Sequence, residues 1–252
     1  MVLEFTVIKL VTFFSFDLRF LGVMQVIWVI GVSMIVLSVL IHLPLKLVAV
    51  FGLGMIGLHN LLDGFRVESW RGPESAMPEV GSKLWMILHQ PFEAFPIVGF
   101  PSPIVFVVYP LIPWVGVMAV GYVFGSLYRE SSTKRRKWLL LIGALSTLLF
   151  FVLRAINIYG DPSHWSPQKN LVFTVLSFLN TTKYPPSLLF LLMTLGPAIA
   201  ALAWFEKRSH QGPQSDSGFP RLRRALITFG RVPLFFYILQ WPTAHTISIL
   251  LH

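Results

Sequence analysis

The amino-acid sequence predicts an all-α protein that crosses a membrane several times. Of its 252 residues, 55% are hydrophobic and only 12% are charged, and the mean hydropathy is +0.70. Soluble domains carry about 25% charged residues, so this composition is typical of a membrane protein. Several apolar stretches also approach or exceed the roughly 20 residues that a helix needs to cross a bilayer. We therefore expect a polytopic transmembrane helical bundle that forms a single domain over residues 1–252.

About seven spans are predicted. They cover residues 4–16, 20–41, 45–62, 103–128, 138–157, 185–205 and 232–250. The first is too short to cross a bilayer as a straight helix. The fourth carries Pro103, Pro110 and Pro113 near its start, so its first turns should be kinked or non-helical. Residues 81–90 are predicted to form a short helix at the membrane surface, with Trp85 in the headgroup region.

Basic residues predict how the spans are oriented. They crowd two linkers, 129–137 and 206–224, which flank the pair of spans 138–157 and 185–205 and must lie on one side. Because cytoplasmic loops carry an excess of Lys and Arg, this side is predicted to be cytoplasmic. The N-terminus is then inside, the C-terminus is outside, and the acidic loop 63–102 faces outward. Topology therefore explains the net charge of +9 better than a nucleic-acid partner does.

Missing residue types and motifs narrow the chemistry. The chain has no cysteine, which excludes disulfides, thiolate metal sites and a cysteine nucleophile. It also lacks a P-loop, a zinc-binding HExxH, a GxSxG elbow and a GxGxxG fingerprint. We therefore expect no permanently bound cofactor and predict no metal site. Residues 206–220 are predicted to form a flexible polar linker.

Polar residues recur near the span ends that are predicted to face outward. A polar, proline-broken segment at 180–187, called the knot below, lies directly before the sixth span. Irregular backbone is tolerated beside a span only at its mouth or against a cavity, so the knot marks a candidate functional surface. Ionisable groups in a membrane usually face the bundle interior or a wet cavity. We expect one polar chamber that opens outward and receives His59, Asp63, Arg154, Lys183 and Gln240.

Each of these residues also has a structural interpretation. His59 and Asp63 are four residues apart on one helix face, which suits a carboxylate-oriented imidazole and equally a structural pair. Arg154 is predicted either to extend to the outer headgroups or to be buried beside a partner such as Asp63 or Glu93. His245 is interpreted either as an interfacial histidine or as a catalyst. His89 and His164 are loop residues and are expected to be solvated.

Four stretches together resemble a known family. They read Leu-Gly-Val-Met-Gln-Val-Ile-Trp (21–28), Gly-Leu-His-Asn-Leu-Leu-Asp-Gly (57–64), Asn-Thr-Thr-Lys-Tyr-Pro-Pro-Ser-Leu (180–188) and Phe-Gly-Arg-Val-Pro-Leu-Phe-Phe-Tyr (229–237). They are similar to bacterial members of the heparan-alpha-glucosaminide N-acetyltransferase-like membrane family. The resemblance implies an enzyme in the bacterial inner (plasma) membrane. Such an enzyme would move an acyl group from cytoplasmic acetyl-CoA or another acyl-CoA to a sugar or glycan on the far side.

The chain departs from this family in two ways. It begins where the third or fourth span of the family would begin, and it lacks the segment with an Arg-Gly-containing span and an Asp-His pair. Gln240 also stands where many relatives have histidine. The chain is therefore expected to be the C-terminal part of an acyltransferase-like domain and to be inactive alone. No family catalytic residue can be transferred, and the candidates from chemistry alone are His59, Asp63 and His245.

Acyl transfer requires a general base, hydrogen-bond donors for the developing oxyanion and cations for the phosphates of the donor. The predicted substrate-binding residues are Asn60, Arg154, Asn157, Lys183, Tyr184 and Gln240. The predicted contacts to the acyl-CoA are Arg129, Arg135, Lys207 and Arg231. The expected partners are the lipid bilayer and a glycan acceptor, and a homo-oligomer is left open. The alternative function is a small-solute transporter or a non-catalytic membrane subunit, since polar groups in broken helices suit both.

Overall fold

The computed structural model describes residues 2–13, 17, 19–99, 101–209 and 220–251, which are mostly helical. The predicted flexible linker 206–220 lies largely outside these residues. A π-helical turn, Glu4–Ile8, precedes the first helix, and 3-10 turns, His59–Leu62 and Ser126–Arg129, extend two others. The helices are α1 (Lys9–Phe13), α2 (Val26–Leu40), α3 (Leu45–Leu58), α4 (Val80–Leu88), α5 (Leu111–Gly125), α6 (Ser132–Ile156), α7 (Leu171–Leu179), α8 (Leu188–Ser209), α9 (Pro220–Arg231) and α10 (Pro233–Leu251). The strands are β1 (Phe20–Met24), β2 (Glu93–Pro96) and β3 (Ile104–Val107).

Five helical segments of the described chain are long and apolar enough to cross a membrane. They are Leu45–Leu62, Leu111–Arg129, Ser132–Ile156, Leu188–Glu206 and Pro233–Leu251. They coincide with five of the predicted spans, and they confirm an all-α polytopic membrane protein. The orientation with the N-terminus inside stays a prediction.

The other two predicted spans differ from the structure. Residues 4–16 contain the π-helical turn and the five-residue α1. The stretch 20–41 divides at Gln25 into β1 and the 15-residue α2, which is about 22 Å long and shorter than the hydrocarbon core. Because a short apolar strand and an apolar helix look alike in sequence, hydropathy alone merges β1 with α2.

A small three-stranded sheet packs beside the spans. Its strand order is β1-β3-β2, with β1 parallel and β2 antiparallel to β3. A buried cluster covers one face of this sheet and consists of Met24, Met86, Phe95, Val105 and Val107. The sheet also explains the irregular start of the predicted fourth span, because β3 precedes α5, which begins directly after Pro110. The short helix predicted at 81–90 is confirmed as α4, and its position at the membrane surface stays a prediction.

The spanning helices pack closely in pairs, α6 against α8 and α3 against α5. A Cβ atom on Gly143 of α6 would lie 2.6 Å from the backbone nitrogen of Ala200 in α8. A Cβ atom on Gly116 of α5 would lie 2.8 Å from the Cβ of Met55 in α3. These glycines therefore let the helix backbones touch, which is how small residues usually serve membrane bundles.

The α6–α8 pair has two chemically different ends. At one end, Arg135 near the start of α6 bonds to Glu206 near the end of α8. At the other end, the segment after α6 and the knot before α8 meet the end of α3, where the amide nitrogen of Leu188 donates to Asn60 Oδ1 at 2.9 Å. The knot contains a cis peptide bond between Tyr184 and Pro185. The candidate site lies at this second end.

Candidate functional site

Two buried histidines and one half-buried aspartate form a cluster at the end of α3. His59 begins the 3-10 turn after α3, and only 2% of it is exposed. His89 follows α4 directly, and only 4% of it is exposed. His59 Nδ1 lies 3.4 Å from His89 Nε2, which lies 3.8 Å from Asp63 Oδ1. Ring nitrogens of the two histidines and a carboxylate oxygen of Asp63 thus lie within 4.8 Å of one another.

Neighbouring side chains hold this cluster in place. Asn60 Nδ2 donates to Asp63 Oδ2 at 2.8 Å, and Asn60 Oδ1 accepts the backbone N–H of Leu188. The Trp85 ring stacks on the His89 ring, with centroids 5.4 Å apart and 28° between the planes. Asn60 therefore fixes the carboxylate of Asp63 to the first turn of α8, and Trp85 fixes the plane of the His89 ring.

Asp63 and His89 lie outside the membrane-spanning segments, and burial favours the neutral form of each side chain. Burial raises the pKa of Asp63, against the smaller lowering effects of the Asn60 hydrogen bond and of His89. Burial lowers the pKa of His89, against the smaller raising effect of the Asp63 carboxylate. The 3.8 Å contact between Asp63 and His89 is therefore not a fully developed ion pair. His89 carries an unprotonated ring nitrogen at neutral pH, as a base or a metal ligand requires.

The cluster opens onto a pocket of about 160 Å³. Asp63 and His89 form one part of its wall, and the knot contributes Thr182, Tyr184 and Pro185. Arg66 also lines it, so one cation faces the pocket. The volume is below the roughly 300–1,000 Å³ of sites that enclose a drug-sized ligand. The pocket therefore fits one end of a larger molecule.

Asp161 shapes the knot. Its carboxylate is almost fully buried and accepts the backbone N–H and the hydroxyl of Thr182 at 2.8 and 2.9 Å. It also accepts the hydroxyl of Ser187 at 2.6 Å and the backbone N–H of Ser163 at 2.8 Å. These four bonds satisfy the carboxylate and tie both ends of the knot to the segment after α6. They place Tyr184, whose hydroxyl lies 3.3 Å from that of Tyr109, at the pocket.

Arg154 behaves differently from both sequence interpretations. It is 1% exposed, so it does not extend to the headgroups, and its hydrogen bonds go to neither Asp63 nor Glu93. Its guanidinium donates to four backbone carbonyls, those of Ser163, Ser177, Phe178 and Asn180. The predicted Asp63–Arg154 pair is therefore wrong, because the helix ends and loops around Arg154 supply enough acceptors.

The remaining predicted substrate residues are dispersed. Asn157 ends α6 with φ 58° and uses both ends of its amide to bond the backbone of Trp165. Lys183 is exposed, with its Nζ 5.2 Å from the centre of the Tyr184 ring. Gln240 lies exposed on α10 and does not line the pocket. The side chain of His245 lies outside the described part of the structure. The cluster and its pocket therefore gather His59 and Asp63, together with Asn60 and Tyr184. Arg154, Lys183 and Gln240, which were also predicted for the chamber, do not line the pocket.

Of the four residues predicted to contact acyl-CoA, three lie away from the pocket, and the side chain of the fourth lies outside the described part of the structure. Arg129 and Arg231 are exposed, whereas Arg135 bonds to Glu206 and lies over the Tyr128 ring. The side chain of Lys207 is not described. Residues 135 and 154 lie on one helix, so the Arg135 end is roughly 28 Å from the Arg154 end. That distance is close to the thickness of a hydrocarbon core.

His89 is the main site residue that the sequence interpretation missed. It was expected to be solvated, but it lies buried beside His59 with the Trp85 ring stacked on it. The sequence carried one indirect signal, since His89 follows an amphipathic helix and precedes a proline. His164, with the same expectation, is exposed as predicted.

The fold and the site define a multi-pass membrane protein with a buried histidine-carboxylate cluster at one end of its bundle. The chain belongs to the family described as "Heparan-alpha-glucosaminide N-acetyltransferase, catalytic", whose model matches residues 3–159. The match includes the cluster and two of the four stretches that carry the resemblance, at 21–28 and 57–64. The other two, at 180–188 and 229–237, lie beyond it. No curated protein and no solved structure matches the chain significantly.

Proposed function

We propose that this protein is a membrane acyltransferase that moves an acetyl group from acetyl-CoA to a glycan at the His59–Asp63–His89 cluster. The observation that carries the proposal is a buried cluster with an unprotonated imidazole that opens onto a pocket, in a chain of an acetyltransferase family. The family description specifies a glucosaminide, so we propose the amine of a terminal glucosamine as the acceptor.

The pocket supplies the groups that this chemistry needs. The acceptor amine must lose a proton as it attacks the acyl carbon, and a histidine is the usual group to assist. His89 lies in the pocket wall, and Asp63 beside it stabilises positive charge on the ring. Tyr184 faces the same space, and its hydroxyl is placed to donate a hydrogen bond to the developing oxyanion.

The pocket size suits the reacting end of a glycan rather than a whole donor molecule. In this proposal the acceptor enters from the outer side of the bacterial inner membrane. Acetyl-CoA binds on the cytoplasmic side, where the exposed Arg129 and Arg231 remain candidate phosphate contacts. The extended arm of acetyl-CoA must then reach along the bundle and bring the thioester to the pocket. The amine forms the new C–N bond there, the C–S bond breaks, and coenzyme A leaves as the thiol with the proton that the amine gives up.

Sealed proteoliposomes of the purified chain test both the activity and its sidedness. With labelled acetyl-CoA on the side of Lys134 and glucosamine on the side of His164, N-acetylglucosamine is expected on the glucosamine side. Exchanging the two compartments should abolish the product, and protein-free vesicles are the control. The sequence analysis instead expected the chain alone to be inactive, and the same assay distinguishes that expectation from the present proposal. Absence of product in both arrangements would contradict the proposed function.

A further inference from the structure

We infer that His59, Asp63 and His89 form a binding site for a divalent transition-metal ion of the zinc type. The inference deepens the proposed function, because it names what would hold the acceptor at the same cluster. Ion binding can nevertheless be measured without any acyl transfer. It also differs from the sequence interpretation, which predicted no metal site.

The distances within the cluster suit one ion. Zinc binds histidine nitrogen at about 2.0–2.1 Å, so two ligands of a tetrahedral site lie about 3.3–3.4 Å apart. His59 Nδ1 and His89 Nε2 lie 3.4 Å apart. Asp63 Oδ1 lies 3.8 Å from the same His89 nitrogen, a few tenths of an ångström beyond that spacing. A small rotation of the carboxylate would close the difference.

The donor set selects the kind of ion. Two imidazole nitrogens and one carboxylate oxygen suit zinc and other first-row transition ions, whereas magnesium and calcium prefer oxygen ligands. Three protein ligands with one open position are also the arrangement of catalytic rather than structural zinc sites. Here the open position would face the pocket, because Asp63 and His89 line it while His59 lies behind them.

The surroundings orient the ligands as they do in metal sites. Ligating side chains usually have a second hydrogen-bond partner that fixes their direction. Asn60 bonds the second oxygen of Asp63, which leaves Oδ1 directed towards His89. His89 interacts with the backbone carbonyl of His59. Asp63 therefore has an orienting partner outside the cluster, and the backbone of His59 helps to orient the ring of His89.

An ion would also bring compensating positive charge to the cluster. His59 Nδ1 and His89 Nε2 face each other, and the half-buried carboxylate of Asp63 lies beside them. A divalent ion would bind the lone pairs of both rings and compensate the charge of Asp63. With the ion bound, His89 would act as a ligand rather than as the base, and the ion would promote proton loss from the acceptor. The ion would then hold the nitrogen or oxygen of an acceptor in its open position, next to Tyr184 and Thr182.

The test uses the full chain without a polyhistidine tag, stripped of metal and then loaded with Zn²⁺ or Co²⁺. We expect close to one zinc per chain by elemental analysis, and a visible Co²⁺ spectrum of a four-coordinate site. In His59→Gln, His89→Gln and Asp63→Ala, zinc should fall below about a tenth of an ion per chain. His164→Gln, which changes an exposed histidine, is the matched control.

A variant that changes none of the three ligands tests the inference if a ligand variant does not fold. Asn60→Ala leaves all three ligands in place but removes the partner of Asp63, so zinc affinity should fall about 10- to 100-fold. The inference would be overturned if the wild-type chain retained no zinc after the loading step. It would also be overturned if the wild type and all three ligand variants retained equal amounts of zinc. An active wild type without zinc would contradict the ion site alone. A zinc-loaded wild type without transfer would contradict the proposed function alone.

Discussion

Replacing His89 by glutamine is expected to lower the rate of acetyl transfer by about 100- to 10,000-fold, the range for removing a general base. Glutamine keeps hydrogen-bonding capacity, but it can neither take up a proton near neutral pH nor bind a metal ion as imidazole does. The effect should appear mainly in kcat, because the pocket wall opposite His89 stays intact. Initial rates with purified protein and varied glucosamine concentrations measure it.

The control for this prediction is His164→Gln. His164 is an exposed histidine on the same end of the bundle and does not line the pocket. Its replacement should leave kcat within about twofold of the wild-type value, as for an ordinary surface substitution. Equal rates in the wild type and His89→Gln would show that the cluster does not take part in the transfer.

Replacing Arg154 by methionine is expected to lower the free energy of unfolding by about 3 kcal/mol or more. The guanidinium donates to four backbone carbonyls beneath the segment that leads into the knot. Each buried acceptor that loses its partner costs about 1–3 kcal/mol, and water can reach only some of them. Thermal or denaturant unfolding in detergent measures the change.

Arg129→Met serves as the matched control for Arg154. Arg129 is an exposed arginine in the turn after α5, so its loss should change stability by no more than about 0.5 kcal/mol. Similar melting behaviour of Arg154→Met and Arg129→Met would contradict the structural role of the buried guanidinium. Arg154→Lys should be intermediate, because one ammonium group cannot reach four dispersed carbonyls.

The sequence predicted correctly those parts of the fold that depend on one local property, such as hydropathy or the position of a proline. Five spans follow from length and hydropathy, and proline positions gave the irregular chain before α5. The strand β1 was merged with α2, because its partner β3 lies more than 80 residues further along the chain. An apolar strand and an apolar helix differ only through such distant pairing.

Contacts between residues that are far apart in sequence also explain why only part of the site was predicted. His59 and Asp63 were predicted together because their spacing of four residues places them on one helix face. His89 joins them only through the packing of α4, 30 residues away in sequence. A buried Arg154 was expected to need a carboxylate, but its partners are backbone carbonyls. Every residue has a backbone carbonyl, so the sequence does not indicate which of them accept hydrogen bonds. Asp161 was likewise unpredictable, since its four donors come from two separate loops.

The central claim is that the pocket beside the histidine-carboxylate cluster binds the acceptor. The chain contains no cysteine, so Arg66→Cys introduces a single thiol into the pocket wall. The rate at which a small, water-soluble thiol reagent modifies this residue measures access to the pocket. Glucosamine should slow the modification severalfold, whereas it should not change the modification of Lys134→Cys at the opposite end of α6. Equal rates for Arg66→Cys with and without saturating glucosamine would contradict the account.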